Sequence, residues 1–367
     1  MFDGYYESKR VLVTGAIGVK GTWLCLALRE VGAQVIGVDN RVPQSDTNFI
    51  ASGLRNEIDL VQADVTDLAK MTSLVANVDA VFHLAAVAIV GQAKRNPYET
   101  FRTNTLGVTT MMEALRLAKT PKRCVTITTD KVYRSKPDGS PWVETDPLMA
   151  SGPYQVSKAC AEFIIQDYQP YLKEGGTLLA VARAGNVIVG GDQYTSSRTS
   201  GAGRLVPDCF EALAVGQPPQ VLVPSFTRPY TYGLDIISGY MTLLSKLDQQ
   251  GVAGEAFNFG PYEQIGVPNS LLATKACELW GGGIGWRSGS PRAEPFDHQS
   301  LSWNKSQRVL GWRPAFTFHE ALSATTRWYK CWYSLSNRTE GCMHDFNLSL
   351  MREHREAAHN LGIAWAD

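Results

Sequence analysis

The stretch TITTDKVYRS, residues 126–135, delivers Thr129, Asp130 and Lys131 in succession at the end of a β-branched run. An acid and an amine at one strand end can move protons in both directions, although Asp and Lys are also common in solvated turns. Downstream, PYQVSKACAEFII places Tyr154 and Lys158 at i and i+4, on one face of a helix. A phenol, with an ordinary pKa of about 10, serves as a base near neutrality only where positive charge favours the phenolate, and Lys158 would supply it. Standing alone, a YxxxK is an exposed aromatic beside a solvated lysine, so the company these residues keep decides the reading.

That company begins at the amino-terminal end. RVLVTG runs straight into TGAIGVKG, and Gly15, Gly18 and Gly21 are followed by the helical stretch TWLCLALREVG. The spacing lets the chain turn tightly, brings backbone N–H groups to a pyrophosphate and aims a helix N-terminus at its charge. A second strand, QVIGVD, ends on Asp39, whose carboxylate can accept from adenosine ribose hydroxyls and repel a 2′-phosphate, which favours NAD over NADP. Arg41 is close enough to reach such a phosphate and argues the other way. Asp64, in QADVTD, is placed to meet the adenine or, equally by its type, to cap the next helix.

Six short apolar runs, RVLVTG, QVIGVD, DLVQAD, AVFHLAA, CVTITT and LLAVARAG, alternate with longer segments of helical period. This predicts an α/β fold, a Rossmann-type doubly wound parallel sheet with a smaller C-terminal α/β lobe. The expected division is a dinucleotide-binding domain over 1–190, with 231–260 returning to it, a second lobe over 191–330 that opens on the polar loop QYTSSRTSGAGR, and a C-terminal extension over 331–367 without an assignable element. LLATKACELWGG and HEALSATTRWYKCWY read as helices of the second lobe, the latter with a Trp/Tyr stripe of the kind that packs rather than binds.

The 35 basic and 35 acidic residues cancel, and 19% charged with 44% hydrophobic residues is a globular composition that argues for neither nucleic acid nor a membrane surface as partner. The seven scattered cysteines form no CxxC, so neither a disulfide framework nor a metal site is expected, and a reducing cytoplasm fits best.

TGxxGxxG, the HLAA of residues 83–86, Asn104 in TNTLG, Thr129 and YxxxK together resemble the extended short-chain dehydrogenase/reductases. Within them, TTDK, ARAGNVIVGGD, RLVPD, TRPY, FNFGP and LGWRP follow the order seen in the NDP-sugar 4,6-dehydratases and are most similar to their CDP-glucose 4,6-dehydratase branch, over nearly nine tenths of the chain. The resemblance implies bound NAD, contacted by Leu84, Ala85, Ala86, Tyr154 and Lys158, with Asn104 orienting the Tyr–Lys helix. It implies a nucleotide-diphosphate sugar as substrate, oxidised at C4 with Tyr154 taking the O4 proton and Thr129 holding O4, dehydrated across C5 and C6, and reduced at C6. Asp130 would protonate the departing C6 hydroxyl and Lys131 would assist at C5. Lys131 stands where many related dehydratases carry Glu.

On the substrate side, Asn186, Arg204, Arg228 and Arg292 match positions that hold the nucleotide diphosphate, its ribose or the sugar, and a homodimer or higher homo-oligomer is expected through the YxxxK helix and the one before it. Four departures surround the substrate: Ala16-Ile17 replaces His-Thr, Val87-Ala88-Ile89-Val90-Gly91 replaces Gln-Pro-Leu-Val-Arg, Arg228-Pro229-Tyr230-Thr231-Tyr232 replaces Arg-Pro-Trp-Gln-His, and residues 193–203 look inserted. The alternatives are another nucleotide-sugar enzyme of the same family, an epimerase or decarboxylase, and a non-catalytic dinucleotide sensor, which the intact Tyr154 and Lys158 disfavour.

Overall fold

The computed structural model describes residues 1–44, 47–192, 204–289 and 298–367. Its frame is a seven-stranded sheet of β1 (Arg10–Thr14), β2 (Gln34–Asp39), β3 (Asp59–Gln62), β4 (Ala80–His83), β5 (Arg123–Ile127), β6 (Leu178–Ala184) and β7 (Ala256–Phe259). All neighbours are parallel, in the lateral order β7-β6-β5-β4-β1-β2-β3. This is the doubly wound sheet expected, and its order reverses between β1 and β4, where a crevice opens at the carboxyl ends of the strands.

Helices cover both faces, which is why the strands read as apolar runs: in β1, Val11 and Val13 enter one hydrophobic core and Leu12 the other. The principal helices are α1 (Val19–Glu30), α2 (Leu68–Ala76), α3 (Gly107–Arg116), α4 (Pro153–Glu174), α5 (Leu205–Ala214), α6 (Gly233–Ser245), α7 (Asn269–Trp280), α8 (Phe318–Ser334) and α9 (His344–Asn360). α2, α3 and α4 pack side by side on one face, and α1 packs with α6 on the other. β7 was not among the six apolar runs because Asn258 interrupts it; that side chain is buried and accepts a 2.7 Å hydrogen bond from the Tyr133 hydroxyl.

Beyond β6, Asn186–Ile188 pairs in parallel with Tyr230–Tyr232, and Thr227–Arg228 pairs antiparallel with Val267–Pro268. These short ladders, with α5, α7 and α8 packed together, form the wall facing the crevice. Trp328, Tyr329 and Trp332 of α8 are buried and ring-stacked with their neighbours, the packing role expected of that stripe.

The C-terminal segment holds a long helix that the sequence did not disclose. The buried face of α9 carries Asn347 and His354 as well as Leu348, Leu350 and Ala358, so no apolar stripe marks it. The polar residues are matched: Asn347 Nδ2 donates to Asn48 Oδ1 (3.0 Å) and Ser52 Oγ (2.8 Å), and Asn347 Oδ1 accepts from Trp328 Nε1 (2.7 Å). His354 Nε2 lies 2.7 Å from Asp235 Oδ1, which also accepts from the Ala315 amide at 2.7 Å. Among the described residues no helix is long and apolar enough to cross a membrane, and all seven cysteines are free.

Candidate active site

The glycine-rich turn is built for close approach. Gly15 has φ 74°, and a Cβ on Gly21 would lie 2.1 Å from the Gly15 carbonyl oxygen, so neither position admits a side chain without rearrangement. The N-terminus of α1 has no side-chain cap, which leaves its first N–H groups for an anionic ligand. Opposite the turn, Thr14 Oγ1 accepts from the Leu84 and Ala85 amides, both at 3.1 Å, and sits 2.9 Å from His83 Nδ1. Burial pushes His83 down to about 3, with the Lys158 charge adding to the effect, so the ring is neutral.

Asp39 is buried and already occupied: Oδ1 accepts from Arg41 Nε at 2.9 Å, while Oδ2 accepts from Arg41 Nη2 at 3.0 Å and from the Ile17 amide at 3.2 Å. A ribose hydroxyl must share that carboxylate with the guanidinium or displace it. Asp64 caps no helix; that role falls to Asp67, which accepts from the Lys70 amide at 3.0 Å. Asp64 instead accepts from Thr66 N and Oγ1 (2.9 and 2.8 Å) and from Arg102 Nη2 (2.9 Å). Burial acts to raise its pKa, but these donors prevail and lower it. The uncapped helix end, the cradle that a Cβ would fill and the buried carboxylate at the end of β2 fit a dinucleotide.

At the end of β5 the chain turns through Thr128 and Thr129 into a short 3-10 turn, Asp130–Val132. Asp130 is completely buried; its Oδ1 accepts from Thr129 Oγ1 at 3.1 Å and from Lys131 Nζ at 3.0 Å, while Oδ2 has no hydrogen-bond partner. Lys131 also donates to Asn186 Oδ1 at 2.8 Å, so the acid, the amine and the amide form one chain of contacts. Tyr154 enters from α4, where burial pushes its phenol up to about 12 while a hydrogen bond with Thr129 acts in the opposite direction. One turn on, Lys158 Nζ donates to the Ile127 carbonyl at 2.9 Å, and burial lowers its ammonium to about 8 against the opposing charge of Glu162. Asn104 fixes this helix from a π-helical turn, accepting from the Val87 amide (2.7 Å) and donating to Ser157 Oγ (2.9 Å), which itself donates to the Tyr154 carbonyl (2.8 Å).

A cavity of about 650 Å³ collects Thr129, Lys131, Tyr154, Asn186, Arg204 and Arg228 on its walls. Arg204 is ion-paired to the buried Asp192 at 2.6 Å, and the Arg228 guanidinium lies 5.1 Å from the Phe226 ring centre. Arg292 and the 193–203 segment lie outside the described residues. The wall after β4 is Ala88, Ile89, Val90 and Gly91, with Lys94 beyond it.

Lys20 also lines this cavity, and sequence reasoning passed over it as a variable position in TGAIGVKG. Burial lowers its ammonium to about 7, with Lys158 and Arg204 adding to the effect, and its Nζ is 3.4 Å from the Tyr240 hydroxyl. The available signal was a lysine inside a dinucleotide turn, where no counter-charge is near in sequence.

A nucleotide cradle beside a Tyr–Lys pair on one α4 face suits the reversible oxidation of a bound alcohol, and the chain belongs to the NAD dependent epimerase/dehydratase family, which matches residues 11–260. It is 31% identical to the CDP-glucose 4,6-dehydratase of Salmonella typhimurium, across 89% of this chain and 92% of that one. The dTDP-glucose 4,6-dehydratase DesIV of Streptomyces venezuelae, solved with NAD bound, is 25% identical with a TM-score of 0.75, covering 88% of this chain and 97% of that one. The UDP-glucose 4-epimerase of Thermotoga maritima, 23% identical with a TM-score of 0.74 over 88% of this chain and 98% of that one, shares the fold.

Proposed function

We propose that the chain is an NAD-dependent nucleotide-sugar 4,6-dehydratase, most like the enzymes that convert CDP-glucose to its 4-keto-6-deoxy product. The observation that carries the reading is the Asp130–Lys131 pair, in which Asp130 is buried near Tyr154 with one carboxylate oxygen unengaged and Lys131 lines the cavity. A C4 epimerase needs a base for one hydroxyl and nothing at C6, whereas a dehydratase must also expel water.

Tyr154 accepts the O4 proton, with Thr129 aligning that oxygen and Lys158 favouring the phenolate. Bound over the glycine turn, NAD supplies a reversible two-electron acceptor, so that C4 can be oxidised at the outset and C6 reduced at the close. The C4 ketone acidifies C5. Transfer of one proton across the 3.0 Å Lys131–Asp130 contact turns the ion pair into amine and acid; Lys131 then accepts the C5 proton and Asp130 gives its proton to the C6 hydroxyl, which leaves as water, so the pair ends as the ion pair it began as and the protons balance.

Arg204 and Arg228 suit a diphosphate because a guanidinium engages oxygens in pairs. The unpaired thiols fit a reducing compartment, and we place the protein in the cytoplasm. Phe163 and Tyr171 of α4 are 54% and 58% exposed, and Leu106, before α3, is 48% exposed, which supports a homodimer closed through α3 and α4.

The test is to incubate the protein, with and without added NAD, with CDP-, UDP-, GDP- and dTDP-hexoses and follow nucleotide-sugar mass. Loss of one water without net NADH accumulation is the expected result and names the nucleotide. Interconversion of sugar isomers at constant mass would move the protein to the epimerases.

A further inference from the structure

One buried titratable group close to the catalytic residues has no part in the proton transfers described. Glu162 stands one turn beyond Lys158 on the same helix, at i+4, and is 1% exposed. Its Oε1 accepts from Thr128 Oγ1 at 2.6 Å and from Arg183 Nε at 3.0 Å; its Oε2 accepts from Arg183 Nε at 3.1 Å and Nη2 at 2.5 Å. Arg183, equally buried, donates through Nη1 to the Tyr133 hydroxyl at 2.8 Å, and its guanidinium lies 4.8 Å from that ring's centre.

The network thus holds the three chain segments that carry the reaction. Thr128 precedes Thr129 and Asp130, Tyr133 follows Lys131, Arg183 shares its strand with the approach to Asn186, and Glu162 shares its helix with Tyr154 and Lys158. A buried ion pair is a poor source of stability, because apolar residues of similar volume commonly do as well. Its effect here lies in charge and register. Lys158 donates to the Ile127 carbonyl and has the neutral His83 on β4 and the Lys20 amine on α1 near enough to feel its charge, so among the described residues Glu162 is the anion that acts on it.

We propose that Glu162, gripped by Arg183 and Thr128, is a positioning residue that keeps Lys158 protonated and thereby sets the pH at which Tyr154 becomes a base. The carboxylate does not touch the sugar; it acts through the ammonium one turn away. Without it, desolvation strips the Lys158 proton at lower pH, the phenolate loses its partner, and Tyr154 takes up its basic role only at higher pH.

The activity part of the test rests on the dehydratase reading. Glu162→Gln keeps the shape and an acceptor for Thr128 while removing the charge. The acid limb of the kcat/KM profile should move up by about one pH unit, a loss of about tenfold below it, with KM for the nucleotide sugar changed less than about twofold. Glu162→Asp, which restores the charge, should return the limb toward wild type. The double variant Glu162→Gln/Arg183→Met removes the orphaned guanidinium and should recover thermal stability without recovering the profile. An unshifted limb in Glu162→Gln, or a double variant in which stability and profile recover together, overturns the proposal.

Phenolate absorbance, titrated as the difference between each protein and its own Tyr154→Phe counterpart, reads the Tyr154 pKa without any substrate. If wild type dehydrates no nucleotide sugar, the functional reading fails while this titration still decides the role of Glu162: an upward shift in Glu162→Gln upholds it, and no shift overturns it.

Discussion

The two edges of the cavity are built on opposite plans. Along the carboxyl ends of β5 and β6, Thr129, Asp130, Lys131 and Asn186 are tied together by hydrogen bonds of 2.8 to 3.1 Å, and behind them Glu162 and Arg183 brace the same segments. After β4, the facing edge is Ala88, Ile89, Val90 and Gly91, with no side-chain donor among the four. Proton transfer demands groups held within a few tenths of an ångström, so the first edge is cross-linked. Recognition of a particular sugar or base tolerates change at one wall while the reaction is left intact, and one of the departures from the related dehydratases, Val87-Ala88-Ile89-Val90-Gly91, falls on the second. Under the proposed function, the first edge would carry the reaction and the second would help to select the substrate.

Three substitutions probe this division, in descending order of effect. Tyr154→Phe should lower kcat by about 10³-fold, the middle of the range for a general base, with nucleotide-sugar affinity by calorimetry nearly unchanged; a loss below tenfold would detach the reaction from the cross-linked edge. Asp130→Asn should slow water loss by about 10²-fold while C4 oxidation, read as transient NADH absorbance, persists. Equal loss in both partial reactions would make Asp130 a structural group. The mildest change is at the other edge: Gly91→Arg, which returns a cation to the apolar wall, should alter the ratio of kcat/KM between two nucleotide sugars by about tenfold or less and leave the pH profile in place. A shifted profile there would show that the edges are coupled.

What the chain discloses by itself follows the same division. β1 to β6 are legible because buried parallel strands are apolar throughout, and the Thr129–Lys131 and Tyr154–Lys158 constellations are legible because their spacing is local. Glu162 and Arg183 are opaque: one reads as a solvated charge on a helix, the other as a strand-end arginine, and only β5, β6 and α4 brought together show that each is the other's partner. β7 is hidden by Asn258, and α9 is hidden because its inward face is polar. Asp64 left two readings open in the sequence, and the structure removes one of them: its neighbour Asp67 takes the helix cap, and Asp64 binds Arg102.

The polar inward face of α9 also bears on the order in which the chain can finish folding during synthesis. Asn48, Ser52 and Asp235 leave the ribosome well before Asn347 and His354 exist to meet them. Until α9 emerges, Asn48 and Ser52 have each other and Asp235 has the Ala315 and Phe316 amides, while water must stand in for Asn347 and His354. The nascent cofactor lobe therefore stays locally open until α9 has been made.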